Sequence, residues 1–159
     1  MIDRIQAIVR AGISVMGHIG LTPQSLHQFG GYRIQGKSQT DGRQIIQDAL
    51  DLQKTGVFCI VIEGVIADLA AQITDQLDIP TIGIGAGSHC DGQILVINDM
   101  LGLNQDFSPK FVKKYADVGS IMRSAVNQYM EEIQSGVFPS EEHSYHLKRE
   151  PLRKVADNK

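Results

Sequence analysis

The stretch VFCIVIEG, residues 57–64, is the most apolar run of the chain and ends on a carboxylate, Glu63, followed by Gly64. An uninterrupted apolar run of this length is typical of a parallel strand that is buried on both faces. In parallel α/β folds the carboxyl ends of the strands open onto the site where the chemistry takes place. We therefore expect Glu63 to act as an acid or a base.

Three more apolar runs predict strands, at residues 13–16, 81–84 and 94–97. Helical periodicity precedes the first three of the four runs, and glycine or proline ends each predicted helix, at Gly12, Gly56 and Pro80. This αβαβαβ alternation predicts an α/β fold with a parallel sheet. Two architectures remain open at this point, an open doubly wound domain and four of the eight units of a (βα)8 barrel.

Beyond the fourth run, Ser108 and Pro109 resemble the start of a helix, and the helical pattern continues to Ile133 before Gly136 and Pro139 end it. Nothing divides the chain before its polar end. We therefore expect a single domain over residues 1–147 and a polar tail over residues 148–159.

Composition excludes several classes of protein. The 159 residues carry a formal charge of −3, which gives no basic surface for nucleic acid. No apolar stretch approaches the ~20 residues of a membrane span, and the first ten residues lack a signal-peptide core, so we expect a cytoplasmic protein. Cys59 and Cys90 have no paired spacing and are expected to be reduced thiols.

Two side chains are the candidates for chemistry. The apolar residues that precede Glu63 favour a functional role, because partial desolvation of a carboxylate makes it a better base. The alternative is that Glu63 caps a helix beginning near Ala67. His18 follows the first predicted strand, and if the two strands are parallel neighbours, both side chains emerge on one rim. The alternative for His18 is a histidine satisfied by backbone groups.

The remaining motifs are weaker. GIGAG at residues 83–87 lacks the spacing of a dinucleotide-binding loop and leads into a strand rather than a helix. Residues 29–39 are glycine-rich and predict either a mobile lid or a plain surface loop. Residues 89–91 and the pair His143 and His146 are not convincing metal sites, so no metal ligand is assigned.

Several ordered segments together resemble one family, ketopantoate hydroxymethyltransferase (3-methyl-2-oxobutanoate hydroxymethyltransferase). They are GHIGLTPQS at residues 17–25, FGGYRIQGK at 29–37, IVIEGV at 60–65, IPTIGIGAGSHCDGQILV at 79–96 and EEHSYH at 141–146. The resemblance runs from near Met1 to about Leu147. It implies the C-terminal part of a (βα)8 barrel of the phosphoenolpyruvate/pyruvate type, with the N-terminal units missing.

The resemblance also implies an activity. Such enzymes transfer a hydroxymethyl group from 5,10-methylenetetrahydrofolate to 3-methyl-2-oxobutanoate, giving 2-dehydropantoate in pantothenate biosynthesis. They use Mg2+ and form homo-oligomers. In this pattern Glu63 matches the catalytic proton acceptor and His18 matches a histidine at the substrate site.

The sequence departs from the family pattern in one large respect. The acidic Mg2+ ligands and the substrate-binding lysine of the family belong to earlier strands, and no position of this chain matches them. We therefore expect the chain alone to be inactive and poorly soluble unless the missing half is supplied. A truncated or split non-catalytic remnant, a related keto-acid carbon–carbon lyase and a nucleotide-binding module remain the alternatives.

Overall fold

A computed structural model describes residues 1–22, 34–104 and 108–146. Within these ranges the elements alternate in the predicted manner. The helices are α1 (Ile2–Arg10), α2 (Gln39–Thr55), α3 (Ala67–Gln76), α4 (Ile97–Met100) and α5 (Val118–Ser135). The strands are β1 (Met16–Gly20), β2 (Cys59–Glu63), β3 (Thr81–Ile84) and β4 (Gly92–Gln93).

The sheet is parallel throughout, which confirms the predicted fold class. Its strand order is β1-β2-β3-β4, so each strand pairs with the next one along the chain. A doubly wound sheet reverses its strand order at a switch point, whereas a barrel does not. The unreversed order is therefore that of part of a (βα)8 barrel.

Burial differs sharply between the two faces of the sheet. Ile60 and Ile62 of β2 are completely buried on the face that packs against the helices, together with Ile73 of α3. On the opposite face Val61 is only half-buried and Met16 of β1 is 44% exposed. In a complete barrel this second face is the packed interior, so the described residues form an open segment of barrel wall.

Local signals set both ends of α2. The Ser38 hydroxyl accepts a hydrogen bond from the Asp41 amide at 3.1 Å and caps α2. Gly56 ends α2 with φ +89°, a left-handed conformation that glycine adopts without strain. Close packing of α2 on the sheet depends on Gly17, where an added Cβ would lie 3.1 Å from Leu52 and 3.2 Å from Ile60.

Two strand predictions were wrong in position. The first strand lies at Met16–Gly20 rather than at residues 13–16, because pairing with β2 runs from Met16 opposite Cys59 to Gly20 opposite Glu63. The last strand is only Gly92–Gln93, and the apolar residues 94–97 follow it instead of forming it. The ladder with β3 ends at the bond from the Ile94 amide to Gly83, and the chain then turns into α4.

The predicted helix start at Ser108 was also wrong. The amides of Tyr115 and Val118 donate to the carbonyls of Met100 and Leu101, which ties this segment to the end of α4. The helix α5 begins only after Asp117, whose carboxylate accepts from the Ser120 amide at 3.4 Å. Its predicted end was right, since Gly136 is the left-handed C-cap.

Some predictions fall outside the described residues. These are residues 29–33 of the proposed lid at residues 29–39, and the polar tail at residues 148–159. No helix in the part of the chain that the structure covers is both long and apolar enough to cross a membrane.

Candidate active site

The structure brings the two predicted site residues together. Glu63 is the last residue of β2 and His18 the middle residue of β1. The Nε2 atom of His18 lies 3.1 Å from Oε2 of Glu63. Glu63 lies at the carboxyl end of its strand, where barrel folds hold their active sites, whereas His18 lies two residues before the end of β1 rather than after the strand as predicted.

Strand register explains how the two side chains meet. His18 lies directly opposite Val61, and Glu63 lies directly opposite Gly20. His18 and Glu63 are therefore diagonal neighbours on one face of the sheet, a separation that long side chains span. The glycine opposite Glu63 adds no side chain between them.

The site is partly shielded from solvent. The side chain of Glu63 is 18% exposed and that of His18 is 32% exposed. The Nε2 atom of His18 is buried and, among the described residues, has no partner in hydrogen-bond geometry, although it is close to Glu63. The distance fits an ion pair, but the orientation does not fit a hydrogen bond. A buried polar atom without a hydrogen bond is costly and is expected to gain one when a ligand binds.

The alternative role of Glu63 as a helix cap does not hold. The residue at the N-cap of α3 is Ile66, and no side-chain hydrogen bond caps that helix. The carboxylate instead points to the face that carries His18. Glu63 is thus held at the rim with its side chain available to a ligand.

Apolar groups border the carboxylate. Ile84 of β3 lies in register with Glu63 and is 7% exposed, and Val61 precedes it on the same face. The β3–β4 turn begins immediately after Ile84, at Gly85, whose φ of +64° and missing Cβ leave room for the Phe111 ring. These surroundings favour proton transfer from a carbon acid, because water competes less well for the carboxylate.

Other polar clusters are structural. Thr81, which is completely buried, donates from its amide (2.8 Å) and its hydroxyl (3.0 Å) to Oδ2 of Asp91. These bonds lower the pKa of Asp91, with the backbone amide contributing most. Burial raises the pKa of the Cys59 thiol, and the nearby Asp91 charge adds to this. Both cysteines are free and buried.

The donor set does not fit a metal ion by itself. Within residues 1–22, 34–104 and 108–146, no group of three or more His, Cys, Asp and Glu side chains could hold one. His143 bonds to the Ser140 hydroxyl at 2.8 Å and His146 pairs with Glu141 at 2.9 Å, each locally. A surface cavity of about 330 Å³ between the first turns of α2 and α3 contains neither His18 nor Glu63.

Comparison with known proteins supplies the family. The profile of ketopantoate hydroxymethyltransferase matches residues 1–141. The chain belongs to the ketopantoate hydroxymethyltransferase family. It is 54% identical over 152 residues to the 3-methyl-2-oxobutanoate hydroxymethyltransferase of Clostridium beijerinckii, covering 96% of this chain and 55% of that protein.

Two further relatives agree. The enzyme of the same name from Pelobacter propionicus is 57% identical over 141 residues, which is 89% of this chain and 52% of the relative. That from Clostridioides difficile is 50% identical, with 98% and 56% covered. The chain thus spans about half the length of the curated relatives it matches, in agreement with an open segment of barrel.

Sequence reasoning missed two residues next to the site. Gly20 has φ +86° and lies opposite Glu63. Gln35 forms an isolated parallel bridge with Val65, two residues beyond Glu63. A glycine at the end of a strand is a signal that backbone approaches closely, and it points to Gly20. The Gln35 bridge has no comparable signal, because its partner lies 30 residues further along the chain.

Proposed function

We propose that this chain is the proton-abstracting part of a hydroxymethyltransferase that acts on 3-methyl-2-oxobutanoate. The observation that carries the proposal is the Glu63–His18 pair at the carboxyl end of β2 in a family member. In the proposed reaction Glu63 removes the proton from C3 of the keto acid, and the C–H electron pair forms an enolate. C3 of the enolate then forms a carbon–carbon bond to the one-carbon group supplied by 5,10-methylenetetrahydrofolate. The bonds from that carbon to the two folate nitrogens break, one water molecule provides the hydroxyl oxygen, and 2-dehydropantoate and tetrahydrofolate are the products.

The roles of the two residues follow from their surroundings. A carboxylate at a partly dehydrated rim is suited to general base catalysis. The exposed part of His18 faces the same side of the sheet, so we assign it to keto-acid binding.

The remainder of the barrel is part of the proposal. The resemblance implies Mg2+, but the described residues do not fit that ion, and none of the steps above depends on it. We assign the ion, and the substrate-binding lysine, to the N-terminal half of the barrel. A homo-oligomer in the cytoplasm is the proposed working form.

The test is an assay of the chain alone and of the chain supplied with the N-terminal part of a relative's barrel. We expect product only in the second sample, and only with the folate donor present. A carbon–carbon cleavage product instead of 2-dehydropantoate favours the lyase alternative. No turnover in a sample shown to contain the assembled barrel favours the non-catalytic remnant.

The role of Glu63 is tested in the assembled sample through deuterium exchange at C3 of the keto acid. Glu63→Gln removes the base and keeps the size of the side chain. Asp68→Asn is the matched control, because it removes an exposed carboxylate from the first turn of α3, five residues away. We expect exchange to be lost in the first variant and kept in the second.

A further inference from the structure

The residue directly opposite Glu63 in the β1–β2 ladder is Gly20. The two residues lie at the same level of the ladder, but the atoms nearest to a Cβ added at Gly20 belong to the Glu63 carbonyl and to Val65, not to the side chains of Glu63 and His18. His18 reaches Glu63 along the diagonal of the ladder, and the space that it crosses lies beside Gly20.

Gly20 also controls the main chain of Glu63. Its φ of +86° is a conformation that residues with a side chain rarely adopt. A Cβ added here would overlap the carbonyl oxygen of Glu63 and lie 2.6 Å from Cγ2 of Val65. With glycine in place, the next amide, that of Leu21, donates to the Glu63 carbonyl at 2.8 Å.

A second contact holds the peptide that follows. The Gln35 amide donates to the Gly64 carbonyl at 2.7 Å, and the Ile66 amide donates to the Gln35 carbonyl at 3.3 Å. Gln35 thus pairs with the residues that directly follow β2, on the side where β1 pairs with β2 itself. On the other side the Gly64 amide donates to Ile84 at 2.9 Å. The main chain next to Glu63 is fixed from both sides.

We propose that Gly20 is a positioning residue, which together with the Leu21 and Gln35 amides sets the place of the Glu63 carboxylate relative to His18. This proposal rests on the proposed function for its catalytic consequence. A general base acts only within hydrogen-bond reach of the proton that it takes. A displacement of about 1 Å in such a site costs up to ~100-fold in rate.

The first test compares two glycine-to-alanine variants. Gly20→Ala forces a Cβ against the Glu63 carbonyl, whereas Gly12→Ala, with φ +83°, meets no atom within 4 Å. Both variants carry the strain of alanine in a left-handed conformation, so this strain is matched, and Gly20→Ala adds the contact with Glu63. In the assembled barrel we expect Gly20→Ala to lower kcat for C3 exchange by about 10–100-fold and to leave KM nearly unchanged, with Gly12→Ala close to wild type. Equal kcat values in the two variants would overturn the proposal.

A second variant covers the case in which Gly20→Ala does not fold. Replacing the Leu21 amide by an ester removes the donor to Glu63 and adds no atom. The matched control is an ester at Phe58, whose amide donates to Val15 at 3.0 Å, at the other end of the same two strands. We expect the Leu21 ester alone to reduce kcat; equal effects of the two esters would overturn the proposal.

A structural measurement separates this proposal from the proposed function. If wild type assembled with the N-terminal part of a relative's barrel shows no exchange at all, the function fails and the kinetic comparison has no baseline. Crystal structures of the Leu21 ester and the Phe58 ester then decide. A His18–Glu63 separation longer than 3.1 Å in the Leu21 ester alone supports the positioning role, and an unchanged separation refutes it.

Discussion

Adjacent residues of β2 are expected to respond very differently to truncation. Ile62 is completely buried against the helices, and Val61, one residue earlier, is half-buried on the open face. Truncation of a fully buried isoleucine to alanine costs 2–5 kcal/mol, since it removes apolar contacts and leaves a cavity. We therefore expect Ile62→Ala to lower the free energy of unfolding by about 3 kcal/mol and Val61→Ala by only about 1 kcal/mol.

The assay is urea denaturation of the isolated chain, followed by circular dichroism. With a denaturant slope of about 2 kcal/mol per molar, a loss of 3 kcal/mol lowers the midpoint by about 1.5 M. The midpoint of Val61→Ala should fall by about 0.5 M. These values assume that unfolding is two-state, which coincident transitions by fluorescence and circular dichroism would establish.

The same pair of variants tests whether the open face is the interior of a larger barrel. When the N-terminal part of a relative's barrel is added, Val61 becomes buried, and the cost of Val61→Ala should approach that of Ile62→Ala. Equal costs in the isolated chain would refute the reasoning, because they would mean that both faces are already packed.

Two further predictions concern ionisable groups. Hydrogen bonds from Thr81 lower the pKa of Asp91 in the folded state, so their stabilisation is complete above the unfolded pKa of about 3.9 and disappears as the pH falls through the lower folded pKa. Urea midpoints at several pH values should therefore show Asp91→Asn less stable than wild type at pH 7 and equal to it in strong acid. The exposed control Asp75→Asn should show no such convergence. Cys59 is 3% exposed, and burial raises the pKa of its thiol. In a Cys90→Ser variant, iodoacetamide at pH 8 should therefore modify Cys59 far more slowly in the folded protein than in urea. Equal rates would contradict the burial of Cys59.

Much of the fold could be predicted from sequence because local signals and tertiary packing agree. The third strand was predicted to the residue at Thr81–Ile84, and α3 begins at Ala67 as expected. Gly56 ends α2 through its left-handed conformation. Each of these elements carries either an uninterrupted apolar run or a clear terminating residue.

The failures occur where long-range pairing outweighs local preference. The strand β1 has the sequence MGHIG, whose two glycines are poor strand formers, and it forms because β2 supplies the partner. The apolar residues 94–97 continue past the end of the ladder, so strong local preference does not make them a strand. Ser108 and Pro109 form a cap-like pattern, but hydrogen bonds to α4 hold the following segment in another conformation.

The candidate site was also predicted only in part. Placement of His18 and Glu63 on one rim followed from parallel neighbouring strands, and the structure brings them to 3.1 Å. Their catalytic roles remain a proposal. Gly20 and Gln35 escaped prediction because their importance depends on which backbone atoms they face, at residues 63–66.

The most direct measurement of the central claim is deuterium exchange at C3 of 3-methyl-2-oxobutanoate in the assembled barrel carrying Glu63→Gln, with keto-acid binding followed separately by calorimetry. The account predicts that binding persists while exchange is lost. Exchange at the wild-type rate in a variant that binds the keto acid would contradict it.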